Sequence, residues 1–468
     1  MAADNKNGED RVELMKKDPK KALRNFAWPM MLTMIIFIGN SLVNIIWVSG
    51  IGISAVAAVG FVAPLYTIIV GMGQGLGAGT ISLIARSIGE ENKKKVDNVA
   101  LHSLLITLIA SIIISSLFLF FLKDILLLIG AGTVLKLSMD YGSIIFLGAL
   151  PLLLSVTISN LLRAEGDMKR ATYAMISISL LNMILDPIFI YALNMGVTGA
   201  ALSTVLASFI SLIVMVYWIL MKQDSYISFK LKNFHFSMDI IKDTLNVALP
   251  TSLEEFMMSL SAVGTNAILA MVAGSSAVAV YTIGWQVITL GVIPAVSIES
   301  ATLAISGVAI GAKNYINLEM ISNYGIKLGV VLGAVLTVII FIFAPNIAQL
   351  FAYSTSNGLI ASQIEYFIRI LSPFFIVLPF GIISTAIFQG AGKGVTSLIL
   401  NSTRDILLTL TFSYILGVLL GFGEIGVYWG ILTGVTLGSI INYIYYRIFL
   451  RNLKNSDNKE TKTKNLLN

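Results

Sequence analysis

Apolar runs long enough for a helix to cross a bilayer, about twenty residues, recur along this chain and leave it few ways to fold. They cover 26–48, 55–84, 97–121, 138–162, 171–193, 197–220, 244–272, 277–308, 319–344, 364–388, 395–419 and 426–449. Only 12% of the 468 residues are charged and 56% are hydrophobic, against roughly 25% charged in soluble domains. A soluble fold could not hide so much apolar surface, so the excess faces lipid. The expected structure is an all-α membrane protein with twelve transmembrane helices. Two runs, 55–84 and 277–308, are over-long and are expected to project from the bilayer or to tilt.

The chain has no cysteine, which excludes disulfides, thiolate metal sites and thiol catalysis. Its two histidines, His102 near a helix start and His235 in a polar loop, cannot build a histidine metal centre and read as surface residues. Residues 1–25 are polar and lysine-rich, and the apolar run after them is too long for a signal h-region and lacks a cleavage site. It reads as a retained first span. Assigning loops alternately to the two sides puts 27 of the 31 Lys and Arg residues on one side. Lys123, Lys136 and Arg369 fall on the other side, and Arg404 lies within a span. The basic side is the cytoplasm, so both termini are expected there, in a multi-pass protein of the cell membrane. This distribution accounts for the basic balance without a nucleic-acid partner, and the chain reads as a monomer in the lipid bilayer. The polar tail after Arg451 reads as disordered.

The two halves of the sequence match. Ser54-Ala55-Val56-Ala57 recurs as Ser276-Ala277-Val278-Ala279, an offset of 222. The same offset relates Ile88-Gly89 to Ile310-Gly311, Asn92 to Asn314, Thr80 to Thr302 and Pro151 to Pro373. Each half holds six spans, so the copies share one orientation and are expected to be related by a pseudo-two-fold axis along the membrane normal. The lobes are placed at 1–235 and 236–468. The connection Met221–Asp243, with its Lys-Leu-Lys pattern at 230–232, reads as a short amphipathic linker at the inner face.

Charges inside spans are costly and usually face a cavity or each other. The first half has one, Asp186, in the segment Asn182-Met183-Ile184-Leu185-Asp186-Pro187. Asn182 lies four residues earlier, on the same helix face. Pro187 has no N–H to give the carbonyl of Met183. Carboxylate, amide oxygen and carbonyl together suit a proton or a sodium ion, and Thr204 in the next span can join them. Asp186 and Thr204 both sit ~10 Å from the outer end of their spans, and Asn40 and Asn44 lie in the outer half of the first span. A buried carboxylate pinning a kink is the plainer alternative. The second half holds Glu254, Glu255, Glu299, Arg404 and Asp405, with Glu254, Arg404 and Glu299 all ~14 Å from the cytoplasmic edge. They read either as a buried ion-paired cluster or as an acidic cavity lining attractive to organic cations. Pro29, Pro187 and Pro250 are expected to kink their helices. The glycine run 71–79 has no P-loop lysine and reads as a close helix-packing surface.

From Pro19 to Arg451 the chain resembles the multidrug and toxic compound extrusion (MATE) family, prokaryotic type. The resemblance is carried by Trp47-Val48-Ser49-Gly50-Ile51-Gly52, by Ala55-x-Ala57-Ala58-Val59-Gly60, and by Ile88-Gly89 with Asn92. It continues in Arg163-Ala164-Glu165-Gly166-Asp167, Leu185-Asp186-Pro187-Ile188-Phe189-Ile190 and Gly196-Val197-x-Gly199-Ala200-Ala201. It implies two six-helix bundles around a V-shaped cavity, and export of cationic, amphipathic compounds driven by inward flow of H⁺ or Na⁺. No cofactor besides the coupling ion and no enzymatic activity is implied. In the family an N-lobe site uses an Asp in the first helix, an Asn-x-x-x-Asp pair in the fifth and a Thr in the sixth. Asn182, Asp186 and Thr204 match, whereas Asn44 stands where the first-helix Asp is expected and cannot take up a proton. A sodium ion at Asp186 is the one metal candidate. Two other readings are a lipid or oligosaccharide flippase of the same superfamily and a membrane channel. The single intramembrane Arg404 disfavours a flippase for anionic substrates.

Overall fold

The computed structural model describes residues 6–222, 225–229, 232, 234–352 and 358–467. Among them there is no strand. The elements are α1 (Lys6–Lys17), α2 (Pro19–Ser49), α3 (Ile53–Gly89), α4 (Lys93–Leu128), α5 (Leu135–Leu147), α6 (Ala149–Ala164), α7 (Met168–Pro187), α8 (Val197–Lys222) and α9 (Met238–Gly311). They continue with α10 (Tyr315–Ala352), α11 (Gly358–Leu371), α12 (Phe374–Gly390), α13 (Gly394–Ser402), α14 (Thr409–Tyr414) and α15 (Gly423–Leu467).

Nine continuous helical stretches among the described residues are long and apolar enough to cross a membrane. One of them, α9, is two spans joined at Gly274, whose φ of 75° is open to glycine and strained for other residues. Two further spans are bent pairs, Ala131–Leu147 with Ala149–Ala164 at 46° and Ile360–Leu371 with Phe374–Gly390 at 50°. Counted so, the chain has the twelve spans of an all-α, two-lobe membrane protein. Large apolar side chains such as Phe120, Leu128 and Ile342 stay exposed, as lipid-facing groups do.

The chain divides into two compact units: residues 1–17 with 28–252, and residues 18–27 with 253–468. In the first, Val62, Leu65, Ile69, Ile114, Leu122 and Ala149 pack around Phe118 and Phe146, whose rings stack at 4.4 Å. The glycine run is a packing surface: a Cβ on Gly75 would meet Ala248 O at 2.4 Å, and one on Gly79 would meet Thr244 O at 2.4 Å. Backbone contact of this kind joins residues 244–248 to the first unit. In the second unit a longer stripe, Gly426, Gly430, Gly434 and Gly438, lays α15 against the stretch 404–416. Cβ atoms there would meet Leu416 O, Ser413 Cα, Thr409 Cα and Arg404 Cβ at 2.3–2.5 Å. That stretch carries two π-helical turns, 403–408 and 415–419.

The sequence repeat recurs in the backbone. Gly52 and Gly274 both have positive φ, and so do Glu91 (58°) and Lys313 (52°), each pair 222 residues apart. Asn92 Oδ1 accepts from Lys95 N–H and Asn314 Oδ1 from Asn317 N–H, both at 3.0 Å, so the two asparagines cap α4 and α10 alike.

Two expectations are corrected, and one segment gains a structure. His102 is fully buried rather than on the surface, because residues 234–237 fold over it: Phe234 lies 4.8 Å from its ring and Ser237 N–H donates to Nε2 at 3.0 Å. The tail after Arg451 continues α15 as helix to Leu467. Residues 6–17, read only as polar and lysine-rich, form α1, which buries Val12 and Met15. In the linker, Lys230 and Leu231 of the Lys-Leu-Lys pattern lie outside the described residues.

Candidate functional site

Asp186 occupies the last turn of α7 and is fully buried. Pro187 cannot extend the helical hydrogen bonding. The next amide, Ile188 N–H, bonds to Leu185 O, and residues 188–192 form a π-helical turn. Asn182, one turn before, donates Nδ2–H toward Asp186 Oδ1 (3.1 Å), Ser203 Oγ (3.2 Å) and Thr204 Oγ1 (3.3 Å). Ser203 of α8 also donates to Asp186 Oδ1, and its hydroxyl lies 2.9 Å from Ala200 O. One proton with two acceptors lets Ser203 donate to a charged Asp186, or turn to Ala200 and accept from a protonated one. Asp186 Oδ2 is buried and has no hydrogen-bond partner among the described residues.

The structure thus brings together Asn182, Asp186 and Thr204, and adds Ser203. Asn40 and Asn44 of α2 are half-buried, and among the described residues neither hydrogen-bonds to this group; Asn40 Oδ1 is buried without a partner. Pro29 lies inside α2, where Thr33 Oγ1 donates to its carbonyl (3.0 Å), and Pro250 lies inside α9. Nearby, Tyr191 of the π-helical turn donates its hydroxyl to Trp47 O at 2.5 Å, tying that turn to α2.

The second unit holds its acids differently. Glu254 Oε2 accepts from Gln389 Nε2 (3.2 Å) and Asn401 Nδ2 (3.0 Å), and the Ser397 hydroxyl also hydrogen-bonds to this carboxylate. Arg404 grips Asp405 with two bonds, Nε to Oδ1 at 2.7 Å and Nη2 to Oδ2 at 2.8 Å. Its guanidinium is within electrostatic reach of Glu299 and Glu254, and Glu299 in turn feels Glu255. Gly381 leaves room for the guanidinium: a Cβ there would lie 2.8 Å from Arg404 Nη1. Gln389 and Asn401 were not singled out in the sequence, since neutral amides give no charge signal.

Ser203 was also missed. Serine and threonine are common in apolar helices because they bond the carbonyl a turn back, as Thr204 does to Ala200 O (3.0 Å). Only the contact with Asp186 separates Ser203 from that background.

Comparison with known proteins adds a family. A family model described as MatE matches this chain twice, over residues 29–188 and 250–415. The probable multidrug resistance protein YoeA of Bacillus subtilis (strain 168) is 26% identical, over 76% of this chain and 79% of YoeA. The multidrug export protein MepA of Staphylococcus aureus (strain MRSA252) is 24% identical over 92% of this chain and 94% of its own length. Among solved structures, an outward-facing multidrug resistance MATE family transporter of the MOP superfamily superposes with a TM-score of 0.92. It is 36% identical, covering 95% of this chain and 98% of that one.

Proposed function

This chain belongs to the MatE family, and on that premise we propose that it is a secondary active antiporter that exports cationic, amphipathic organic compounds against an inward flow of H⁺ or Na⁺. Multidrug exporters are its relatives over nearly its whole length. The observation that carries the coupling part is Asp186: a fully buried carboxylate with one oxygen held by neutral donors and the other without a partner among the described residues. No cationic side chain forms an ion pair with it among the described residues, so a proton or a small cation is the natural counter-charge. Neutralising it removes a buried charge beside Pro187 and a π-helical turn, where the helix is already irregular. An antiporter needs such a group, whose occupancy favours one conformation over another.

The protein sits in the cytoplasmic membrane with both termini inside, by the distribution of its basic residues, and the repeats 1–235 and 236–468 form its two lobes. Asn40 and Asn44 supply oxygens near the coupling site without titrating. The cluster of Glu254, Glu255, Glu299, Arg404 and Asp405 lines the second lobe with net negative charge, which suits cationic cargo. The test is efflux of an ethidium-like dye from proteoliposomes under an imposed pH gradient and, separately, a sodium gradient. Export under at least one gradient is expected. Export under neither would overturn the reading.

A further inference from the structure

One face of α2 changes character in order along its length. Lys21, Arg24, Trp28, Leu32 and Ile35 follow one another at intervals of three and four residues, which keeps them on one side of the helix, and all five are exposed. Lys20, a turn before Arg24, is exposed beside them. The face is therefore basic over residues 20–24, aromatic at Trp28, which is 61% exposed, and aliphatic beyond it. At 100° per residue Asn40 and Asn44 fall on the other side of α2, so this face is not the one that carries the polar groups of the first span.

The charges on it are not taken up within the fold. Elsewhere on the basic side Lys16 pairs with Glu91 at 2.8 Å, Lys95 with Glu90 at 3.0 Å and Arg447 with Glu319 at 3.0 Å. The side chains of Lys20, Lys21 and Arg24 form no ion pair among the described residues. Of the acids near them in sequence, Asp18 caps the helix by accepting from Lys21 N–H (3.0 Å), and Glu13 pairs with Lys17. Like charges three and four residues apart destabilise a helix surface, so the arrangement gains from an external anion. Positive-inside topology asks for basic residues on this side of the membrane, but not for three of them on one uncovered face.

The depths match a bilayer surface. Lys20 to Arg24 is a rise of about 6 Å and Arg24 to Trp28 about 6 Å more, against a headgroup layer of about 5–8 Å on each side of the hydrocarbon core. With Trp28 at the interface, where indoles are favoured, the three cations stand at the level of lipid phosphates and Leu32 and Ile35 among acyl chains. A soluble acidic protein would meet the charges and leave the aliphatic run uncovered. An amphiphile with an anionic head covers both.

We propose that this face of α2 binds an anionic phospholipid of the leaflet at its basic end, with Lys20, Lys21 and Arg24 on the headgroup phosphate, Trp28 at the level of the esters, and Leu32 and Ile35 along an acyl chain. Every residue of the site lies on one helix. Under the topology proposed above the leaflet is the cytoplasmic one, and the site depends on neither the cargo nor the driving ion.

The test is titration of the delipidated, full-length protein with phosphatidylglycerol and, separately, with phosphatidylcholine of the same chains, bound lipid being counted by native mass spectrometry. Phosphatidylglycerol should bind at least about tenfold more tightly. The variant Lys20→Gln/Lys21→Gln/Arg24→Gln should erase that preference. Arg24→Gln alone, which serves if the triple variant does not fold, should lower it about fivefold. Lys94→Gln/Lys169→Gln/Lys242→Gln removes the same charge from exposed positions away from this face and should leave the preference as it is. Equal loss in the two triple variants would overturn the site, because binding would then follow net charge alone, and so would equal wild-type affinity for the two lipids. The readout needs no transport, so failure of the export assay and failure of the lipid site are separate results.

Discussion

The acid of the first unit is fully buried and the acids of the second are half-buried, and their charges are compensated by different means. Asp186 is held by the amide of Asn182 and the hydroxyl of Ser203, which solvate a charge without cancelling it. Asp405 is gripped by Arg404 in a two-bond pair, and Glu254 and Glu299 lie within that guanidinium's reach. A carboxylate compensated by a fixed cation gains little from a proton. One compensated only by dipoles keeps a use for an exchangeable ion. The contrast assigns coupling to Asp186 and charge balance to Arg404.

The largest expected effect tests the second half of that contrast. Arg404→Ala leaves Asp405 without its partner and removes the cation near Glu254 and Glu299; Arg404 is buried and Asp405 half-buried, so the loss falls below the ~3–5 kcal/mol of a fully buried pair. The yield of folded protein and its thermal midpoint in detergent should both drop sharply. An unchanged midpoint would break the comparison, because Arg404 would then not be balancing charge.

A carboxylate outside the spans sharpens the first half. Glu165, between α6 and α7, is fully buried and accepts from Ser225 Oγ (2.6 Å) and Ile227 N–H (3.0 Å), with Arg11 more distant at 3.9 Å. Burial pushes it up to about 7, against the lowering by those donors and by Arg11. The folded state therefore holds a proton that the unfolded chain releases above its ordinary value of 4.5. Stability from this group is full below about 4.5, declines as pH rises toward 7 and is flat beyond, a span of about 3 kcal/mol. Thermal midpoints between pH 5 and 8 should show the decline, and Glu165→Gln should flatten it. A slope that survives the substitution would belong to other groups.

The smallest effect concerns a single hydroxyl. Ser203→Ala removes one donor to Asp186 and should cost about 1 kcal/mol, while lowering the proton or sodium concentration dependence of efflux more than dye binding. Equal loss in both would make Ser203 a packing residue.

Much of this was legible in the sequence. The spans follow from hydropathy, and the break at Gly274 falls in the gap between the runs ending at 272 and starting at 277. The Asn182–Asp186–Thr204 grouping follows from helical spacing and from the family resemblance. The 46° and 50° bends were not legible, since a hydropathy window averages across Gly148 and across Ser372-Pro373. Nor were the π-helical turns at 403–408 and 415–419, which lie in the stretch packed on the glycine stripe of α15. The stripe itself, four glycines at every fourth position from Gly426, is a close-packing signal that the sequence displays openly. His102 was misread because its burial depends on residues 234–237, more than a hundred positions away.

The central claim is that Asp186 is the group through which the driving ion acts. Asp186→Asn keeps the shape and the hydrogen-bonding capacity of the side chain but removes its charge and its titration. Dye efflux under the productive gradient and equilibrium dye binding should be measured on the same purified variant. The account predicts that gradient-driven efflux is abolished while binding stays within a few-fold of wild type. Efflux persisting at the wild-type rate would contradict it and move coupling to the acids around Arg404.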